Sequence, residues 1–199
     1  MDEINYTIFL WLNAPAAPSA LAVALAKFSG EYLIFLLPPL LLGYWFWGGA
    51  GPRKAVLEAL AAALLALTLN QLIGWLWPQP RPFMLGLGHC FLDHAADASF
   101  PSDHLTLWWS VAFSFWLGRT MRAQGRALVL LGLPMAWARI YLGVHFPLDM
   151  LGAAAAAGFS AWMAYRLAWR YLPPVYCAAL AMERQLRNRF SALSRAAKE

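Results

Sequence analysis

Apolar residues run along this chain in long stretches, separated by short clusters of proline, glycine and charge. Ile4 to Leu12 is apolar but too short to cross a bilayer; Asn13, Pro15 and Pro18 follow, and it predicts a helix lying on a membrane interface. Ser19 to Phe28 predicts a second short helical run, with Lys27 and Glu31, four apart, as a local ion pair. Glu31 to Trp47 is apolar enough to cross and is ended by Gly48-Gly49-Ala50-Gly51-Pro52. Arg53 to Trp77 forms the next span, stopped by Pro78, Pro80 and Pro82. A polar loop from Gln79 to Pro101 then holds Arg81, His89, Asp93, His94 and Asp97. Three further spans follow: Ser102 to Gly118, Ala127 to Val144 and Phe146 to Trp169, the first two joined by a basic turn, Arg119 to Arg126. Each span has roughly the 17–25 residues that a crossing needs. The alanine run Ala153–Ala157, between Gly152 and Gly158, predicts a close helix-packing face.

Composition turns these runs into a fold class. Apolar residues make up 61% of the chain and charged residues 13%, against about 45–50% and 25% in soluble domains. One core of this size cannot hide that much apolar surface, whereas lipid can cover it. The eleven tryptophans suit the membrane–water interface. The expected architecture is an all-α integral-membrane bundle of about five transmembrane helices plus short N-terminal interfacial helices. Residues 1–173 form the embedded domain and 174–199 a basic tail.

The net charge of +5 matters through its placement. The cationic residues lie between apolar stretches or in the tail, which reads as membrane topology rather than nucleic-acid binding. Twelve of the fifteen lysines and arginines fall on one side: Arg53, Lys54, Arg119, Arg122, Arg126, Arg166, Arg170, Arg184, Arg187, Arg189, Arg195 and Lys198. The positive-inside bias puts that side, tail included, in the cytoplasm and the histidine-rich loop outside. Cys90 and Cys177 then lie on opposite faces and cannot pair. The acidic start, Asp2 and Glu3, argues against a cleavable signal peptide.

Three polar clusters sit at helix ends on the outer side: Pro80-Arg81-Pro82, Pro101-Ser102-Asp103-His104, and Arg139 followed by His145 and Asp149. Ionisable groups in such places are candidates for function, and these residue types suit phosphoryl transfer, which needs positioned cations and donors. Arg81 and Arg139 each offer a planar fork to phosphate oxygens. Ser102 is a natural N-cap, and the N–H groups of Asp103 and His104 point out of a helix start, a ready anion site. Asp149, one turn past His145, can hold the imidazole in one tautomer and leave its other nitrogen free to attack phosphorus. His104 is placed to protonate the leaving oxygen. His89, Asp93, His94 and Asp97 lack zinc-like spacing and read as shaping a headgroup pocket, not as metal ligands. Asn70 and Gln71 read as glue between helices.

The pattern resembles the type 2 phosphatidic acid phosphatase (PAP2) superfamily, whose motifs read Lys-x6-Arg-Pro, Pro-Ser-Gly-His and Ser-Arg-x5-His-x3-Asp. Here they stand as Arg81-Pro82, Pro101-Ser102-Asp103-His104 and Ala138-Arg139-x5-His145-x3-Asp149. Gly74 stands where the first motif has lysine, so that cation is missing or supplied elsewhere. Asp103 replaces a glycine, which puts a carboxylate beside His104 that could keep it protonated, and Ala138 replaces a serine. HAADASFPSDH from His94 and ARIYLGVHFPLDMLG from Ala138 look like the bacitracin-resistance type of undecaprenyl-diphosphate phosphatase.

The resemblance implies a PAP2/haloperoxidase-like helical core, a metal-independent reaction with no cofactor, and catalysis by His145, His104 and Asp149. Phosphate binding would fall to Arg81, Ser102, Asp103 and Arg139. It further implies hydrolysis of undecaprenyl diphosphate outside the cytoplasmic membrane. A phosphatase acting on phosphatidylglycerophosphate or phosphatidate, or a lipid phosphotransferase, is the alternative, since the motifs do not separate water from an alcohol as acceptor. A scaffold or transporter gives no reason for three phosphate-binding clusters at one depth. Oligomeric state is not legible.

Overall fold

A computed structural model describes residues 2–196, and among these the elements are all helical. Lys198 of the expected cytoplasmic set, with the rest of 197–199, lies outside the described residues. The seven α-helices are α1 (Asp2–Leu12), α2 (Ala20–Lys27), α3 (Leu37–Trp47), α4 (Ala50–Leu76), α5 (Asp103–Leu117), α6 (Arg122–Tyr141) and α7 (Pro147–Ala196). Between α2 and α3 the backbone stays helical through a π turn at Phe28–Tyr32 and a 3-10 turn at Leu33–Leu36. The run Ala20–Trp47 is therefore one element of 28 residues rather than the two that the sequence suggests. It and Ala50–Leu76 are the described helices long and apolar enough by themselves to cross a membrane.

The central helix is α5, packed against α4, α6 and α7. Its neighbours come close because they present small residues: Ala59, Ala62, Ala63 and Ala66 on α4, and Ala153, Ala157 and Ala161 on α7, all buried. Two of its tryptophans tie it to α6, the Trp108 indole N–H donating to the Leu128 carbonyl at 2.7 Å and that of Trp109 to Val129 at 3.2 Å. Gly132 leaves room for the Trp109 ring, where a Cβ would collide with it. The outward faces are apolar, with Leu64 71%, Leu130 65% and Leu151 65% exposed, a surface that lipid covers and water does not.

Two further features differ from the simplest reading of the sequence. First, α7 runs through Pro173 and Pro174 as one helix of 50 residues, so the expected tail begins inside a helix. Past the prolines it returns to the start of α4: the Lys54 ammonium lies 5.4 Å from the Tyr176 ring centre and Arg53 pairs with Glu183 at 3.5 Å. Met182 and Leu186 there line, with Leu42, Phe46 and Leu60, an apolar cleft of about 1100 Å³. Second, α1 packs on the bundle at α6 and α7. Asn5 Oδ1 accepts the Leu148 N–H at 3.1 Å, and Phe9 meets Phe146 edge-on at 5.2 Å. Asn13 joins the long loop to the end of α6: its amide donates to the carbonyls of His89 (2.9 Å) and Tyr141 (3.0 Å), and its oxygen accepts the His89 N–H at 2.7 Å. The end of α4, start of α5, end of α6 and start of α7 thus meet at one end of the bundle. Arg53, Lys54, Arg119, Arg122 and Arg126 occupy the other helix ends.

Candidate active site

His145 sits in the turn between α6 and α7, 1% exposed. Gly143 makes this turn with φ +82, in the left-handed region, where a Cβ would strike the His89 carbonyl. Pro147 then opens α7 with its fixed φ. Asp149, one turn on and 3% exposed, places Oδ2 3.2 Å from His145 Nδ1. The same oxygen accepts the Phe146 N–H at 2.8 Å and the Ser99 hydroxyl, whose oxygen is 3.3 Å from His145 Nδ1. An ionised carboxylate only accepts, so the hydrogen lies on Nδ1 and the lone pair on Nε2. The groups around Nε2 agree, because Arg81 Nη1, nearer to it at 3.0 Å than to Nδ1 at 3.4 Å, and Arg139 Nη2 at 3.3 Å only donate.

Both guanidiniums are buried, Arg81 5% and Arg139 1% exposed. Arg81 is aimed by three acceptors: Asp97 Oδ1 takes its Nε–H at 2.8 Å, the Val144 carbonyl its Nη1 at 3.0 Å and the Ala98 carbonyl its Nη2 at 3.2 Å. Gly74 of α4 lies against Ala98, where a Cβ would make ordinary contact at 3.4 Å. Arg139 reaches the Gly30 carbonyl at 3.5 Å and His94 Nε2 at 3.1 Å, while its Nε has no partner. Ser102 stands at the N-cap of α5 as expected, yet its hydroxyl makes no capping bond; it is fully buried and unpartnered. The first backbone bond of α5 runs from Thr106 to the Ser102 carbonyl. The N–H groups of Asp103 and His104 therefore remain open at the helix start. The His104 imidazole is half-buried, makes no hydrogen bond among the described residues, and lies within the electrostatic reach of Arg139, His94 and Arg81.

The expected use of the Asp103 side chain needs correction. It points to α4 and not to His104, with Oδ1 accepting from Asn70 at 2.9 Å and Oδ2 from Gln71 at 3.3 Å. Asn70 also donates to Thr106 Oγ1 at 3.0 Å, so the two amides do join helices. What Asp103 offers an anion is its backbone N–H. The structure brings together His145, Asp149, Arg81, Arg139, Ser102 and His104.

It adds Ser99, for which the sequence carries no signal, and gives His94 and Asp97 definite partners. Burial pushes the Asp97 carboxyl up, but the hydrogen bond and charge of Arg81 outweigh it and hold the group below the ordinary carboxylate range. Burial first, then the charges of Arg81 and Arg139, draw the His94 pKa below its usual value, against the Ala95 carbonyl and Asp97. His94 is thus neutral near pH 7, with Nδ1–H toward the Ala95 carbonyl at 3.2 Å and Nε2 accepting from Arg139.

Two buried arginines thus converge on one histidine nitrogen, and at the same end of the all-helical bundle a helix start lies open and a buried hydroxyl is unused, groups of the kind that can hold an oxyanion. Residues 55–173 match the PAP2 superfamily, and the chain belongs to it. It is 35% identical over 170 residues, 85% of each chain, to YbjG of Escherichia coli (strain K12), named as a candidate undecaprenyl-diphosphatase. It is 34% identical over 163 residues to the undecaprenyl-diphosphatase BcrC of Bacillus subtilis (strain 168), covering 82% of this chain and 83% of that one. Among solved structures, Aquifex aeolicus LpxE superimposes with a TM-score of 0.65 over 82% of this chain and 95% of its own, at 24% identity, a likeness of fold.

Proposed function

We propose that this protein is a membrane lipid-diphosphate phosphatase that hydrolyses undecaprenyl diphosphate to undecaprenyl phosphate and phosphate through a phosphohistidine on His145. The observation that carries the reading is the pair of buried donors without acceptors at this end of the bundle: Ser102 Oγ, and Nε of the Arg139 guanidinium whose Nη2 lies 3.3 Å from His145 Nε2. A buried donor left unpaired costs about 1–3 kcal/mol, and phosphate oxygens would satisfy both. The names of YbjG and BcrC supply the lipid.

In the first step the Nε2 lone pair attacks the terminal phosphorus. The bond from that phosphorus to the bridging oxygen breaks, and its electron pair leaves on the lipid monophosphate. Asp149 stabilises the positive imidazole through Nδ1–H; Arg81, Arg139, Ser102 and the open N–H groups of α5 balance charge on the equatorial oxygens. His104 gives a proton to the leaving oxygen. In the second step water attacks the phosphohistidine, His104 takes a proton from it, the P–N bond breaks back onto Nε2, and phosphate is released.

The bundle crosses the cytoplasmic membrane five times, with the arginine-rich helix ends and the tail inside and the site outside, as the cation bias directs. The test is phosphate release from undecaprenyl diphosphate by purified protein in detergent with no acceptor added. Release supports the hydrolase; turnover only with an added lipid alcohol makes the protein a phosphotransferase, and no turnover in either condition overturns the reading.

A further inference from the structure

Lys27 closes α2 beside the reaction centre. Four residues on is Glu31, and the ion pair expected between them is not formed. The π turn at Phe28–Tyr32 is the physical reason: it widens the helical turn, so positions four apart no longer stack. Among the described residues the Lys27 ammonium has neither a salt bridge nor a hydrogen bond. It lines, with Phe83, Phe91, Asp93 and His94, a cavity of about 320 Å³. That cavity adjoins the catalytic cluster through His94, whose Nε2 is 3.1 Å from Arg139 Nη2 and whose ring centre is 6.3 Å from that of His145. Gly30, three residues past Lys27, turns its carbonyl to Arg139 as well.

The charge of the substrate shows what this cavity is for. A phosphate monoester carries about −1.5 to −2 at pH 7, and a diphosphate bears a further ionised oxygen on the second phosphorus. At this end of the bundle Arg81 and Arg139 serve the reacting phosphate, and the charge of Arg81 is already offset in part by Asp97. The cation bias of the sequence assigns the other twelve lysines and arginines to the opposite side, so beside Arg81 and Arg139 the remaining cation here is Lys27. Two phosphates that share a bridging oxygen must occupy adjoining places, and the cavity adjoins the place at Arg139. Asp93 is exposed at its rim, where water screens its repulsion. Phe83 and Phe91 give it an apolar wall for the first carbons of the lipid.

We propose that this cavity is the subsite for the second, lipid-linked phosphate of a diphosphate, with Lys27 as its cation. The proposal rests on the lipid-diphosphatase reading and makes Lys27 a residue that tells diphosphates from monophosphates.

The experiment titrates inorganic pyrophosphate and orthophosphate into full-length protein in detergent, comparing wild type, Lys27→Met and Lys27→Arg. Wild type should bind pyrophosphate more tightly than orthophosphate. Lys27→Met should lose about tenfold of pyrophosphate affinity, the size of one charge-assisted contact, with orthophosphate unchanged, and Lys27→Arg should retain most of it. In turnover, Lys27→Met should raise KM for prenyl diphosphate by the same factor and leave prenyl monophosphate unaffected. Equal losses on both anions, no loss on either, or a wild type without preference for pyrophosphate would overturn the subsite. Wild-type protein inert on undecaprenyl diphosphate would instead sink the enzymatic reading, and the titration would still decide the role of Lys27. Melting temperatures of the three proteins separate a folding defect from a lost contact.

Discussion

The Ser99 hydroxyl donates to Asp149 Oδ2, the same carboxylate oxygen that faces His145 Nδ1 at 3.2 Å. A loop residue 50 positions away in sequence thus holds the group that orients the nucleophile. Ser99→Ala should lower kcat by roughly tenfold or more, the effect of removing one buried donor to a carboxylate, with KM little changed. Phosphate-release kinetics on folded, purified protein measure it. A normal kcat would make Ser99 a structural residue only.

His145→Ala should abolish turnover while the protein still inserts and folds, because the attacking nitrogen is removed. Asp149→Asn should leave a weak enzyme, since the amide no longer enforces the tautomer with its lone pair on Nε2. Quenching wild type during turnover should trap acid-labile, base-stable phosphate on the protein, and His145→Ala should trap none. Near-normal rates in His145→Ala would end the phosphohistidine mechanism.

His104 can be tested through its leaving group. A lipid diphosphate expels a phosphate monoester, whose second pKa is about 6, whereas a lipid monophosphate expels a far more basic alcohol. General acid catalysis is worth about 10²–10⁴-fold, with the larger share where the leaving group is more basic. His104→Ala should therefore cost clearly less kcat on a prenyl diphosphate than on a prenyl monophosphate. Equal losses would make His104 a phosphate ligand instead.

The pH dependence of stability follows from His94, which faces Arg81, Arg139 and Asp97, with His145 beyond and Lys27 and Asp93 across the cavity. Its folded pKa lies below the ordinary value of about 6.5. The unfolded chain then binds the proton first as pH falls. The contribution of His94 to stability is full above about pH 6.5 and is lost as pH drops through the lowered folded value. Melting temperature followed downward from neutral pH should fall, and His94→Gln should make the fall shallower. An identical slope in the variant would show that other groups carry it.

Sidedness can be read with the native cysteines, both free and exposed. With Cys177→Ser, Cys90 should react in intact cells with an impermeant thiol reagent; with Cys90→Ser, Cys177 should react only after lysis. The opposite pattern would place the histidines inside and remove the outer-face role.

The amino-acid sequence by itself determined the all-helical, lipid-facing class, because apolar runs of that length have few other stable forms. It determined the three polar clusters too, since local spacing is enough to put Asp149 one turn from His145 and Ser102 at a helix start. Only the tertiary structure decided what lies between elements. Ser99 meets Asp149, and Asp97 takes Arg81, because α4, α5 and α7 end together and the long loop folds over them; nothing in a loop serine announces a partner 50 residues on. Asp103 turned to Asn70 because a neighbouring helix offered two amides, an alternative that the sequence around His104 does not contain. Lys27 was left without Glu31 because one π turn changed the helical register, and periodicity assumes a regular helix. Short-range contacts follow from spacing along the chain, whereas long-range ones depend on which helix ends pack side by side.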